Sequence, residues 1–194
     1  MTKPFIESQP HYLANGRTIN IHRNGRHQYW LDGNEERMPS VTSMLGHLDP
    51  GFGVGMGWAI KQIKLHNGDI DAPRAVTKAA QDEGSRLHQA IDDYISRRIV
   101  DEGNALFVLW LNEIGNKHRW VASEKFLYHP LLRFGGCSDA FSTEAIWDWK
   151  TVNQDSYTQN GGRVKDIAQL GAYAMALRIM GSVLARQHGF IVYV

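Results

Sequence analysis

The segment Gly135 to Thr151, GGCSDAFSTEAIWDWKT, constrains this chain more than any other part of it. It reads as two β-strands, about Leu132 to Phe141 and Glu144 to Thr151, joined by a short turn. The second strand is largely apolar, with Ile146, Trp147 and Trp149, so it should be covered on both faces. It nevertheless carries Asp148 and Lys150. Side chains on a strand alternate with period two, so these two leave it on the same face. The connection through Ser142 to Glu144 is short enough to bring Asp139 beside Asp148. A lone Asp-x-Lys is most often a surface ion pair. Charges semi-buried in a central strand need a functional reason. Adjacent carboxylates repel unless a hard cation lies between them, and Mg²⁺ or Mn²⁺ takes such oxygen ligands. The constellation therefore predicts metal-dependent phosphodiester chemistry, with Lys150 placed to orient or deprotonate the attacking water.

Composition narrows the remaining classes. A chain of 194 residues is ample for one domain with a real core. No apolar run approaches the ~20 residues of a membrane span, and MTKPFIESQPHY lacks the apolar segment of a signal peptide. These points predict a soluble, cytoplasmic protein, in the host cytoplasm if the chain is phage-encoded, with no membrane partner. The one cysteine, Cys137, excludes an intramolecular disulfide, a cysteine zinc site and a four-cysteine iron-sulfur cluster. It reads as a small buried residue. With 21 Lys plus Arg against 20 Asp plus Glu, attraction to a polyanion has to come from local patches.

Along the chain, residues 1 to 37 alternate basic, aromatic and turn residues and predict a β-hairpin around Asn24-Gly25. Ser40 or Thr42 is suited to cap a following helix. The glycines at 51, 53, 55 and 57 match neither dinucleotide-binding nor P-loop spacing and read as a flexible loop, so no nucleotide-hydrolysing motor is encoded. Helical periodicity runs from Trp58 to about His66, Ala75 to about Val100 and Asn104 to Ile114. Strands follow at about Trp120 to His129 and at the two positions above. After Asn160-Gly161-Gly162 comes a helix from about Arg163 to Met180, and Phe190 to Val194 is a closing strand. The expected fold class is α/β, a mixed central sheet flanked by helices. Residues 75–194 form its core, and residues 1–74 are an N-terminal hairpin and helical extension that shapes the DNA path. The whole is read as one compact unit.

The order Gly84-Ser85-Arg86-Leu87-His88, Glu124, Gly135-Gly136-Cys137-Ser138-Asp139, Asp148-Trp149-Lys150-Thr151 and Gln169-Leu170-Gly171-Ala172-Tyr173 resembles the RecB-type branch of the PD-(D/E)XK nuclease superfamily. The resemblance covers roughly Gln81 to Val194 and implies the restriction-endonuclease-like αβββαβ core. Pro39-Ser40-Val41-Thr42 with the helix opening at Trp58-Ala59-Ile60-Lys61 is similar to mitochondrial genome maintenance exonucleases and their phage relatives. Branch members with an iron-sulfur cluster use four cysteines, which this chain lacks.

Residue by residue, the resemblance implies that Asp139, Asp148 and the Trp149 carbonyl hold Mg²⁺ or Mn²⁺, with His88 at the metal, more readily for Mn²⁺. Lys150 would act on the water, and Glu124 would support the metal waters. Gln169 and Tyr173, one helical turn apart, match the branch's Gln-x-x-x-Tyr motif and would order Lys150 or the scissile strand. Read without the resemblance, His88 is a hydrogen-bonded core residue, Glu124 a solvated carboxylate, and the Gln169–Tyr173 face a helix packing on a sheet. Phosphate contacts fall to Lys61, Lys64, Arg86, Arg133, Arg163 and Lys165, with Ser40 and Thr42 at the cap. Trp147 and Trp149 point away from Asp148 toward the core, while Trp30, Trp58, Trp110 and Trp120 are open to base stacking. The expected activity is hydrolysis of DNA, exonucleolytic and directed at single-stranded or free ends. The alternatives are a structure-specific or nicking endonuclease on the same fold, and a catalytically silent end-binding subunit of a recombination or replication complex. The apolar ending FIVYV leaves room for a further element or a protein partner.

Overall fold

The computed structural model describes residues 6–34, 36–48, 56–152 and 164–194. The glycines at 51, 53 and 55, Arg163 and the Asn160-Gly161-Gly162 loop lie outside these residues, as does the side chain of Trp58. The architecture is mixed α/β. A three-stranded antiparallel sheet contains β1 (Ile6–Tyr12), β2 (Thr18–Asn24) and β3 (Tyr29–Leu31) in that order. A four-stranded mixed sheet contains β4 (Trp120–His129), β5 (Phe134–Ser142), β6 (Ala145–Lys150) and β7 (His188–Tyr193), also in chain order. β4, β5 and β6 are antiparallel neighbours, and β7 runs parallel to β6. The helices are α1 (Val41–Leu48), α2 (Met56–Leu65), α3 (Ala72–Arg97), α4 (Ala105–Glu113) and α5 (Val164–Ile179). No helix of the described residues is long and apolar enough to cross a membrane.

The order helix, three strands, helix, strand is observed, with α4 between α3 and β4. The hairpin expected around Asn24-Gly25 is observed, with one strand more than expected. The turn after Asn24, with His27 at φ 54°, joins β2 to β3, and a further strand, β1, precedes them. Pro10 is tolerated in β1 because that strand lies at the sheet edge, where a missing N–H breaks no ladder. The boundary drawn at residue 74 falls inside the first turn of α3.

α3 carries the site, so its ends matter. Pro73 sits in the first turn, where its missing N–H is one of the helix's unpaired donors anyway. At the other end Arg98 adopts φ 58° and its N–H meets Tyr94 O at 3.0 Å, closing the helix in the left-handed conformation usually taken by glycine. α4 is capped by Asn104, whose Oδ1 accepts the Phe107 N–H at 3.1 Å.

Strand β6 is covered on both faces. Trp147 and Trp149 join Leu87 and Ile91 of α3 and Phe107 and Trp110 of α4 in one cluster. Ile146 joins Val41, Leu127, Phe141, Leu170 and Tyr173 in another, under α1 and α5. Burying side chains of this size contributes about 2–3 kcal/mol each. Trp110 and Trp120 are therefore core residues and not stacking platforms. A third cluster, Ile21, Tyr29 and Met38 with Phe126 and Tyr128, fastens the N-terminal sheet to β4.

The glycine pair is explained by close approach. A Cβ on Gly135 would sit 2.2 Å from the Tyr29 ring, and one on Gly136 would sit 2.6 Å from Tyr173 Cε1. Adjacent strand residues face opposite ways, so the pair admits the N-terminal sheet on one side of β5 and α5 on the other.

Candidate active site

Counting along the ladders puts three carboxylates in one row across the sheet. β4 meets β5 as Ser123↔Ala140 and Lys125↔Ser138, which sets Glu124 opposite Asp139. β5 meets β6 as Ala140↔Trp147, and one step further Asp139 stands opposite Asp148. Opposed residues on antiparallel strands have Cβ atoms about 5 Å apart. The β5–β6 pairing stops at Ala140↔Trp147, and there Asp139 Oδ2 accepts the Trp149 backbone N–H at 2.7 Å. A side chain thus satisfies a strand donor at the mouth of a fork between β5 and β6.

His88 of α3 reaches into this fork. Its Nδ1 lies 3.7 Å from Asp139 Oδ1 and 4.0 Å from Glu124 Oε1, too far for hydrogen bonds, so the three groups border a gap. The approach of α3 depends on Gly84, one turn before His88, where a Cβ would meet Thr151 Oγ1 at 2.9 Å. Glu124 holds φ 46°, a left-handed conformation that costs a non-glycine residue on the order of 1–2 kcal/mol. Its Oε2 accepts from Cys137 Sγ at 3.2 Å.

Asp148 is fully buried, with Lys150 Nζ 2.5 Å from its Oδ2. From α5, Gln169 Nε2 donates to Tyr173 OH at 2.7 Å and approaches Asp148 Oδ1 at 3.4 Å, a weak contact. Asp148, Lys150, Gln169 and Tyr173 are thus brought together as one polar set beside Asp139.

The electrostatics record the crowding. Burial and then the Asp139 charge push Asp148 up to about 6, against the pull of Lys150. Burial raises Asp139, opposed by His88, Lys150 and the Trp149 N–H. Burial also raises Glu124, opposed by the Cys137 hydrogen bond and His88. Tyr173 is raised well above the usual phenol range by burial and then by Asp148 and Asp139. Burial thus disfavours the charged form of every acid of the row, a penalty that a cation would relieve. Among the described residues, His88, Glu124 and Asp139 each offer a ligand atom, all within 4.8 Å of one another. One imidazole nitrogen with carboxylate oxygens suits a divalent cation of the Mn²⁺ type, so the residues fit such an ion. Asp148 is outside this trio, since its oxygens are turned to Lys150 and Gln169.

The site opens into a cleft of about 980 Å³ lined by His27, Gln62, the α3 residues Val76, Thr77, Ala80, Gln81, Gly84, Ser85 and His88, and by Glu124 and Thr151. A second opening of about 320 Å³, lined by Glu7, Gln9, Arg23, Asp92 and Phe126, shares Ser85, His88 and Glu124 with the first. Among the described residues, none of those expected to hold phosphate lines either opening. Lys61 and Arg86 are exposed and line neither opening, and Arg86, two residues from His88, lies about 200° around α3. Lys165 is half-buried at the start of α5. Arg133 is ion-paired with Glu36. Ser40 is buried and caps α1, its Oγ accepting the Ser43 N–H at 3.1 Å and meeting the exposed Thr42 hydroxyl at 2.9 Å.

Gln9, Cys137 and Ser85 stand at the site although sequence reasoning gave them no part in it. Cys137 and Ser85 were marked by their place beside Asp139 and His88, whereas Gln9 carries no local signal. Comparison with protein-family models gives no match, and comparison with curated proteins gives none either.

Proposed function

We propose that this chain is a Mg²⁺- or Mn²⁺-dependent DNA nuclease with the restriction-endonuclease-like core of the RecB-type PD-(D/E)XK branch, acting exonucleolytically on single-stranded or free ends. The row Glu124, Asp139, Asp148, with Lys150 on Asp148 and His88 facing Asp139, carries this reading. His88, Glu124 and Asp139 would hold the ion, with Asp148 and the Trp149 carbonyl as further ligands. When bound, the ion lowers the pKa of a water and neutralises charge developing on phosphate.

The chain's own residues supply the rest. Asp148 holds Lys150 Nζ at the mouth of the fork, where the ammonium orients the attacking water or, as the neutral amine, takes the water's proton. Gln169, held by Tyr173, supports the Asp148 carboxylate from the α5 side, and Asp148 positions Lys150 before substrate arrives. The Asp139 carboxylate is aimed by the Trp149 N–H. His27, Gln62 and Gln81 offer neutral or chargeable hydrogen-bonding groups to a strand lying in the cleft.

The second opening beyond His88 and Glu124 lets a strand continue past the site, which keeps a structure-specific or nicking endonuclease as the second reading. The intact acidic row speaks against a silent DNA-end-binding subunit. Incubation with linear and covalently closed circular single-stranded DNA, in Mn²⁺ and in chelator, tests the proposal. The linear form should be digested to short products in Mn²⁺ only, and the circle should survive. Circles cut as fast as linear strands would select the endonuclease, and loss of neither form would select the silent subunit.

A further inference from the structure

The outer edge of β4 is capped by a side chain from the N-terminal sheet. Gln9 of β1 donates from Nε2 to the Glu124 carbonyl at 2.9 Å and accepts the Phe126 N–H on Oε1 at 3.0 Å. Its carboxamide presents one donor and one acceptor, as the peptide group of a fifth strand would. The two backbone groups it holds, the carbonyl of Glu124 itself and the Phe126 N–H, bracket Lys125 and so pin the chain directly after the point where β4 departs from strand geometry at Glu124, φ 46°. A strained residue persists only where its surroundings over-determine it. The same conformation brings the Glu124 carboxylate within 4.0 Å of His88 Nδ1 and beside Asp139.

We infer that Gln9 is a positioning residue for the cation site: its carboxamide holds the Glu124 backbone in the left-handed conformation that directs the Glu124 carboxylate into the gap bordered by His88 and Asp139. The N-terminal sheet is then part of the catalytic apparatus, and this inference rests on the proposed reading of that gap as a divalent-cation site. The hydrophobic cluster of Ile21, Tyr29, Met38, Phe126 and Tyr128 fastens β2 and β3 to β4, and β1 is carried by its ladder to β2, so removing Gln9's polar atoms need not unseat the sheet. Partners that orient a ligand from outside the coordination shell change metal affinity by about 10- to 100-fold when removed.

The test is a double-mutant cycle read by Mn²⁺ calorimetry on the full chain, using Gln9→Met, Glu124→Gln and the pair, with amide exchange at Phe126 followed in metal-free protein. Gln9→Met should weaken Mn²⁺ binding at least about tenfold and lose protection at the Phe126 amide. In the Glu124→Gln background the same change should leave Mn²⁺ affinity unaltered, because the group it acts through is gone. Equal losses in both backgrounds would overturn the inference, as would unchanged affinity in the single variant. Loss of a cooperative melt by Gln9→Met would overturn it too, since Gln9 would then hold the fold and not Glu124. Wild-type protein that binds no Mn²⁺ would instead remove the cation-site reading itself.

Discussion

The Asp139 carboxylate accepts the backbone N–H of Trp149 at 2.7 Å, so the residue that stands opposite Asp148 also closes the ladder where β5 and β6 part. One oxygen is spent on the fold, and the other faces His88. Asp139→Asn keeps an acceptor for the Trp149 N–H while removing the charge. The variant should therefore fold, and without metal it should be slightly more stable, because repulsion with Asp148 and Glu124 is relieved. Calorimetry should show Mn²⁺ binding to wild type and much weaker binding to the variant. Equal binding by both would refute the assignment.

Lys150→Ala separates chemistry from substrate holding. Its ammonium is committed to Asp148 inside the fork and not to the open wall of the cleft. Hydrolysis should be abolished while DNA affinity stays within a few-fold, because the interaction is made in the transition state. A variant that lost affinity and kept its turnover at saturation would make the lysine a phosphate anchor.

Gly136→Ala reports on how α5 is seated. The new methyl would lie 2.6 Å from Tyr173 Cε1, and Tyr173 takes the hydrogen bond of the Gln169 that approaches Asp148. Overpacking of this kind costs about 1–3 kcal/mol, and each kcal/mol lowers Tm by about 2–4 °C in a chain of this size. Thermal melting should show that loss, and turnover should fall several-fold with metal affinity unchanged. A wild-type melt would mean that Tyr173 is free to move.

Away from the site, His11 gives the protein an acid-sensitive joint. It is buried, its Nε2 is 2.6 Å from Ser182 Oγ, and burial lowers its pKa from the ordinary histidine value. The folded-state pKa lies below the unfolded one, so below about pH 6.5 the unfolded chain binds more protons and stability falls with falling pH. Urea unfolding at several pH values should show a smaller loss between pH 7 and 5 in His11→Gln than in wild type. Identical pH profiles would exclude the effect.

The sheet that carries the site was legible because its residues obey simple periods. The alternation of Ile146, Trp147, Asp148, Trp149 and Lys150 told which side chains share a face, and the burial of Trp147 and Trp149 follows it. The neighbourhood of Asp139 with Asp148 was also legible, since a short turn fixes antiparallel register. β1 was hidden by Pro10, which weakens a strand pattern everywhere except at an edge. The left-handed turn at Glu124 was hidden because nothing in a glutamate announces φ 46°. Its cause, Gln9, sits more than a hundred residues earlier, and contacts of that span leave no local pattern. Lys61 and Arg86 are exposed and line neither opening, and position in sequence alone does not tell which basic residues face a cleft.

The measurement that bears most directly on the central claim is hydrolysis of end-labelled linear single-stranded DNA by wild type and by Asp148→Asn, each with Mn²⁺ and with excess chelator. Asp148 both anchors Lys150 and completes the acidic row, so one substitution removes both contributions. The account predicts release of short products by wild type with Mn²⁺, none in chelator, and a loss of at least about a hundredfold in a folded Asp148→Asn protein. Digestion that persists in chelator, or that proceeds at the wild-type rate in Asp148→Asn, would contradict it.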